Sequence, residues 1–376
     1  MAIVTGDRGK AHGRRGRGRV NGRIALDVLL AVAGVGVAVW RLAPTLASVD
    51  NLGARFTALR WSWVAVAIVL AVASLVTYGE LHRRLLRCAG VHVRGSTVQA
   101  VNFVGNAMAQ TLPSAGATAG VAYMVAALRG RGVDTAVSLW STAVAALLSA
   151  MVLVVLAPAL LFGVGLLVWP AALAVSVLLA AISLVTWKLL RQPAALHWIA
   201  HRLVVLGRHL PVIRNQHWVR DEPSPLDSVL GRVARFRPAG RAWPGLIAWT
   251  LASWVLDYLA LTACVAASAD AVVPWSAVGV GYLAVQASIG VQLTPAGAGP
   301  AETGLLAALA AGGITAPAAA VAVVLYRSIT WLGLTAAGWV VFTITATRRD
   351  KRRRDRPSRR LVPPGRSTGR RAGRDT

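Results

Sequence analysis

Three ionisable residues lie where an apolar helix would bury them. Arg327 sits well inside the apolar stretch 316–346, Asp257 in the middle of 243–266 among Trp254, Tyr258 and Leu261, and Glu302 at the start of a short apolar segment, within a turn of Pro300. An ionised side chain at membrane depth costs roughly 2.5–3.5 kcal/mol on insertion scales, and it normally has a partner, water or a function. Glu302 is the nearest acid to Arg327 in sequence and architecture. The spacing therefore predicts either an Arg327–Glu302 pair or an Arg327 that meets a lipid phosphate in a cavity. At a helix start, Glu302 would also complement the dipole and cap free amides. Asp257 fits a proton relay or the partner of a cationic headgroup. Glu80, near the end of its own apolar block, can pair with Arg83 or Arg84.

Uncharged polar residues add a path. Asn102, Asn106 and Gln110 recur every four residues, so they form a stripe on one helix face that glues helices together or lines a headgroup route. Ser114 and Thr118 follow Pro113 at the start of a short helix, where free amides could hold a phosphate.

Other chemistries lack their residues. The seven histidines all fall at or beyond the cytoplasmic face in the threading below. None has metal-ligand spacing with a second acid or thiol, although His197 and His201 are one turn apart. There is no Gly-x-Ser-x-Gly element and no histidine expected in a span beside a serine, so an intramembrane Ser–His protease is not expected. No Gly-Lys-Ser/Thr phosphate loop is present, and ATP is not expected to power the chain directly. Cys88 and Cys264 are expected on opposite faces, where they cannot bridge. No metal, cofactor or catalytic constellation is expected, which favours a transporter over an enzyme.

The elements that must position these residues are membrane spans. Of the 376 residues, 56% are hydrophobic and 14% charged, against about 25% charged in soluble domains. Blocks such as Val64 to Tyr78 and Ala172 to Val185 are apolar on every helix face, which suits lipid. The net charge of +26 could indicate a nucleic-acid binder, but its distribution argues otherwise. Of 40 Lys+Arg, seven lie in 1–23, ten in 188–241 and thirteen in 348–376, and most of the rest flank helix ends. Positive-inside topology produces that layout. The tails lack interleaved aromatics for base stacking, so no nucleic-acid partner is expected. Arginine far outnumbers lysine amid much Ala, Val and Gly, which points to a GC-rich bacterial genome and a bacterial inner (plasma) membrane.

Spans are predicted near 24–43, 62–82, 133–157, 165–190, 243–266 and 316–346. With both termini cytoplasmic, this threading satisfies nearly every charge. Two stretches, 96–129 and 275–313, remain. Each is an apolar segment, then Pro with small residues, then a second short helix: Gln110-Thr111-Leu112-Pro113-Ser114-Ala115-Gly116-Ala117 and Gln292-Leu293-Thr294-Pro295-Ala296-Gly297-Ala298-Gly299. Pro removes a helix donor and Gly permits a tight reversal. Both read as re-entrant hairpins, with two Pro-kinked spans each as the alternative. The fold expected is an all-α polytopic membrane protein of about six full transmembrane helices plus two re-entrant helical hairpins, arranged as an inverted repeat. Its parts are a disordered basic tail at 1–23, a first membrane half at 24–157, a second at 158–346 with a cytoplasmic basic loop at 191–242, and a disordered basic tail at 347–376.

The run Leu293-Thr294-Pro295-Ala296-Gly297-Ala298-Gly299-Pro300-Ala301-Glu302, followed by Leu325-Tyr326-Arg327-Ser328-Ile329-Thr330-Trp331, resembles the lysylphosphatidylglycerol synthase transmembrane (flippase-like) family. Members typically show Pro-Gly-Gly-x-Gly-x-x-Glu and then an Arg-bearing apolar span. The Asn102 to Gly132 region is similar to the family's first block, although Ala117, Thr118 and Ala119 stand where many members have Gly-Glu. The resemblance implies a membrane domain that moves or handles lipids. Full-length synthases of the family carry a soluble aminoacyl-transferase domain after the membrane part; the 29 residues of 348–376 are far short of a domain, so synthase activity is not expected. The expected function is a phospholipid or lipid-linked-intermediate flippase, with membrane lipids, above all anionic headgroups, as partners. The expected site holds Glu302, Arg327 and Asp257 with Pro295, Gly297, Gly299, Pro113, Ser114, Thr118, Asn102, Asn106 and Gln110. The alternative is a membrane enzyme or scaffold of lipid or cell-envelope glycoconjugate synthesis, working with cell-envelope biosynthesis enzymes.

Overall fold

The computed structural model describes residues 57–111, 116–162, 168–190, 236, 238–268, 272–291 and 295–354. The predicted span at 24–43, most of the 191–242 loop, the tail 1–23 and the end of the second tail lie outside the described residues. All regular structure among the described residues is helical.

The first half contains α1 (Trp61–Cys88), α2 (Gly95–Thr111), α3 (Gly116–Arg129) and α4 (Thr135–Phe162). The second contains α5 (Trp169–Leu190), α6 (Trp243–Ser268), α7 (Trp275–Val291), α8 (Pro300–Ala311), α9 (Ala316–Arg327) and α10 (Leu334–Arg354). A wide π-helical turn, Ser328–Gly333, joins α9 to α10. Among the described residues, four helices are long and apolar enough to cross a membrane: Trp61–Cys88, Thr135–Phe162, Gly240–Ser268 and Ala316–Thr347. The span predicted at 165–190 is α5, whose strongly apolar part is the shorter Trp169–Val185. Its Leu173, Val177, Leu178 and Ile182 are at least half exposed, as befits a helix that faces acyl chains.

Both predicted hairpins form. Helices α2 and α3 pack against each other, as do α7 and α8. Their 17, 14, 17 and 12 residues give lengths of roughly 18–26 Å at 1.5 Å per residue, against about 30 Å of hydrocarbon. All four are shorter than that thickness, and each pair folds back on itself. Glycines let the arms of the first hairpin touch: a Cβ on Gly116 would lie 2.1 Å from the Ala109 carbonyl oxygen, and one on Gly120 2.6 Å from that of Gly105. Each second arm ends at a left-handed glycine, Gly132 (φ 85°) and Gly313 (φ 85°). There the next residue donates back into the last turn, Val133 N to Leu128 O and Ile314 N to Leu309 O.

The halves are inverted. Helices α1 and α6 run antiparallel, because Arg60 N donates to Ala267 O at one end while the Arg84 guanidinium lies 4.8 Å over the Trp249 ring towards the other. At their crossing, Ser74 Oγ donates to Ser253 O (2.9 Å) and Ser253 Oγ donates to Ser74 O (3.1 Å). Such reciprocity is the signature of a two-fold relation. The feet of the first hairpin lie at the end that carries Arg83, Arg84, Arg87, Arg94, Arg129 and Arg131. Those of the second lie at the opposite end, where a Gly312 Cβ would meet Ala277. Glu80 takes both neighbours at the arginine-rich end, Arg83 (2.5 Å) and Arg84 (3.3 Å).

Two boundaries and one internal turn differ from the sequence reading. Helix α4 runs through Pro158 to Phe162 instead of ending there. A proline within a helix forfeits one backbone bond, a cost that surrounding apolar packing absorbs in membrane helices. The last span continues as helix to Arg354, past the expected boundary at 346. Arg and Lys are good helix formers, and a basic final turn complements the helix dipole. The π-helical turn after Arg327 had no sequence signal.

Candidate functional site

The C-terminal end of α2 meets the second hairpin's tip, Pro295–Gly297. Breaking α2 at its C-terminal end leaves carbonyls without intrahelical donors; one tryptophan of the last span supplies such a donor, and a second bonds the Thr111 hydroxyl. Trp331 Nε1 donates to Gln110 O (3.3 Å) and Trp339 Nε1 to Thr111 Oγ1 (3.1 Å). The second tip turns through three positive-φ positions, Ala296 (φ 51°), Gly297 (φ 71°) and Gly299 (φ 97°), with the buried Ala298 between the two glycines. A Cβ on Gly297 would lie 2.8 Å from the Ser288 carbonyl carbon, so this residue is a glycine by conformation and by space.

This turn presents Glu302 to Arg327. The guanidinium Nε donates to Glu302 Oε1 (2.6 Å) and Nη2 to Ala296 O (2.7 Å), while the Trp331 ring lies 4.7 Å below the guanidinium. The other carboxylate oxygen of Glu302 accepts from Gly299 N–H (2.5 Å), at the start of α8. Arg327 is 1% exposed and Glu302 7%. The pair thus pins the hairpin tip to the last span, with both charges and the open backbone amide satisfied together.

Asp257 has a different setting. It is half-buried in the middle of α6. Its carboxylate accepts from Tyr282 Oη (3.0 Å) and Gln286 Nε2 (3.0 Å) of α7, and from Tyr326 Oη (3.3 Å) of α9. Trp254 and Tyr258 pack edge-on against Tyr282 around it. No cation pairs with Asp257 among the described residues.

Asp257 and Arg327 both border an open cavity of about 490 Å3 lined by α1, α2, α3, α4, α6, α7 and the last span. The polar stripe of α2 faces it through Asn102, Asn106 and Gln110. Asn102 is also the interhelix tie that the stripe allowed, donating to Leu75 O (2.8 Å). Thr118 is exposed and is not part of the wall. Pro113 and Ser114 lie outside the described residues, as does the side chain of Pro295, whose backbone starts the second tip. The structure therefore brings together Asp257, Arg327, Glu302, Gly297, Gly299 and the stripe, and leaves Thr118 apart.

The stretch of chain that carries the paired broken hairpins, the acid after Pro300 and the arginine of the final span matches a known family. The family model described as the lysylphosphatidylglycerol synthase TM region matches residues 26–338. The chain belongs to this family. The match takes in both hairpins and the whole cavity wall, so the lysylphosphatidylglycerol synthase transmembrane region is the unit that forms the site. No curated protein is similar enough to serve as a relative.

Within this family member, the sequence reading missed several residues of the site. Tyr326 stood beside Arg327 in the recognised run, and Gln286 was a lone amide in an apolar segment; both were visible signals. Tyr282 and Trp331 carried none, because an aromatic residue in a membrane helix is ordinary until its donor finds a partner. One expectation is overturned. His82, on α1 beside Arg83, is fully buried against α4, with Nε2 3.0 Å from Ser141 Oγ. A histidine thus does sit beside a serine within a span. Ser141 donates to Ser138 O, no acid orients the other ring nitrogen, and neither residue reaches the cavity. This geometry makes a buried tie, without the third group a nucleophilic serine uses.

Proposed function

We propose that this chain moves a phospholipid or lipid-linked intermediate between the leaflets of a bacterial plasma membrane. The headgroup passes through the cavity while the acyl chains stay in the bilayer. One observation carries the reading: a cavity midway along α6, with Asn102, Asn106, Gln110, Asp257 and Gln286 set in a mostly apolar wall, is bordered by two broken hairpins that enter from opposite ends. Irregular backbone at that depth is tolerated where it is buried or lines a wet space, and inverted, interrupted helices surround the binding sites of many transporters. Family membership supports a lipid-handling role. We read the chain as a transporter and not an enzyme, with anionic, phosphate-bearing headgroups as its substrates and both termini cytoplasmic.

In this reading the halves rock about the α1–α6 crossing, opening the cavity to each leaflet in turn. Glu302 and Arg327 hold the second tip in shape, and the α2 stripe offers hydrogen bonds along the way. The test is a vesicle assay with the purified full chain and phosphatidylglycerol carrying a fluorescent headgroup. The expected result is movement of probe from the protected inner leaflet to a membrane-impermeant quencher, faster than in protein-free vesicles. Vesicles that move no probe while a control flippase does so would refute the reading.

A further inference from the structure

We propose that Asp257 is a proton-carrying site and that a proton enters the cavity with each phosphate-bearing headgroup, an inference that rests on the lipid transport proposed above. Two acids stand close enough to the cavity to carry a proton, and their surroundings differ. Glu302 is fixed by Arg327 and by Gly299 N–H. Neutralising it would strand a guanidinium that is 1% exposed, so its charge is part of the architecture. Asp257 has only neutral partners, two of them phenols and one an amide.

That partner set suits a group that changes charge. A phenolic hydroxyl donates to a carboxylate and, turned about its C–O bond, accepts from a carboxyl. Tyr282 and Tyr326 can therefore satisfy Asp257 in either state without moving a helix. A guanidinium or a backbone amide only donates and would favour the charged form alone. The groups facing Asp257 from each neighbouring helix leave it as the titrating one. Helix α1 contributes Tyr78, α7 contributes Tyr282, and α9 contributes Tyr326 and the paired Arg327. Helix α6 itself adds Tyr258 and Cys264, and α4 carries no ionisable residue. Phenols and thiols are neutral where a carboxyl changes charge.

Coupling follows from sharing one cavity. A phosphodiester and a carboxylate repel each other at low dielectric, whereas a protonated Asp257 donates a hydrogen bond to the phosphate. Proton and headgroup then enter together and leave together, which is symport. Lipid should accumulate in the leaflet that faces the more alkaline compartment. With one proton per lipid, each pH unit sustains about a tenfold difference between leaflets.

The full chain in vesicles, with fluorescent phosphatidylglycerol and an imposed pH gradient, tests this. Wild type should shift the probe toward the alkaline side, and lumenal pyranine should report proton entry with it. Asp257→Asn should bring the ratio of distributions with and without the gradient to about one, whatever its basal rate. Asp257→Glu, which keeps a carboxyl, should retain the shift. Wild type that equilibrates probe but ignores the gradient overturns this inference alone, as does D257N that keeps the response. Wild type that moves no probe at all overturns the transport reading and this one with it. If D257N does not insert, infrared difference spectra decide. Acidification should raise a carboxyl stretch whose frequency changes in D257E, and a spectrum without that band, or unaltered by the variant, overturns the assignment.

Discussion

Glu302→Gln would leave a guanidinium 1% exposed opposite a neutral amide, and Arg327→Met would leave a carboxylate facing a thioether. Breaking one side of a buried pair typically costs about 3–5 kcal/mol, whereas replacing both sides can be close to neutral. Each single variant is therefore expected to unfold well below wild type in a detergent melt. The double variant Glu302→Gln with Arg327→Met should recover much of the loss. Equal losses in the double and single variants would show that the pair is not the tie holding the second tip. The same pair shows how far residue-level reading reached. A lone arginine in an apolar span and an acid beside a Pro/Gly break identify each other, because burial leaves each little choice of partner. The tyrosines on Asp257 were out of reach for the converse reason: a phenol is at home in a membrane helix with or without an acid nearby.

Close backbone approach governs the elements. A Cβ on Gly338 of α10 would lie 2.3 Å from the Phe103 carbonyl oxygen of α2, and backbone cannot yield as a flexible side chain does. Gly338→Ala is expected to cost about 1–3 kcal/mol and to loosen the last span from the first hairpin, read as a lower melting temperature. Gly297→Ala should cost as much or more, since it adds a left-handed conformation to a contact of 2.8 Å. A melt unchanged by both would mean the hairpins tolerate separation. At this scale the sequence was informative: paired Pro and small-residue breaks in segments too short to span gave both hairpins. It was silent on the π-helical turn at 328–333 and on helix continuing beyond 346, because neither backbone choice needs a special residue type.

Two predictions concern the molecule as a whole. With Cys88 and Cys264 replaced, Ser74→Cys and Ser253→Cys should join on mild oxidation, since their hydroxyl oxygens are 3.4 Å apart. Two fewer thiols should then be counted on the denatured chain, and thiols that remain free would place the crossing elsewhere. Val272, 92% exposed at the end away from the arginine-rich loops, should react as Val272→Cys with an impermeant maleimide added outside intact spheroplasts. Native Cys88, exposed at the arginine-rich end, should react only after permeabilisation, and the reverse pattern would invert the topology proposed. The serine crossing also bears on directionality. An inverted repeat makes the two access states mirror substitutes: each is obtained by handing either half the conformation of its twin, with Ser74 and Ser253 exchanging roles at the axis. Were the halves identical, the two states would be degenerate and neither leaflet preferred. The 179-residue offset of the serines carries Tyr78 onto Asp257, an acid in one half and a phenol in the other. Any bias between inward-facing and outward-facing forms must be written in such broken symmetries, which makes this mismatched position a place where evolution could set the resting state.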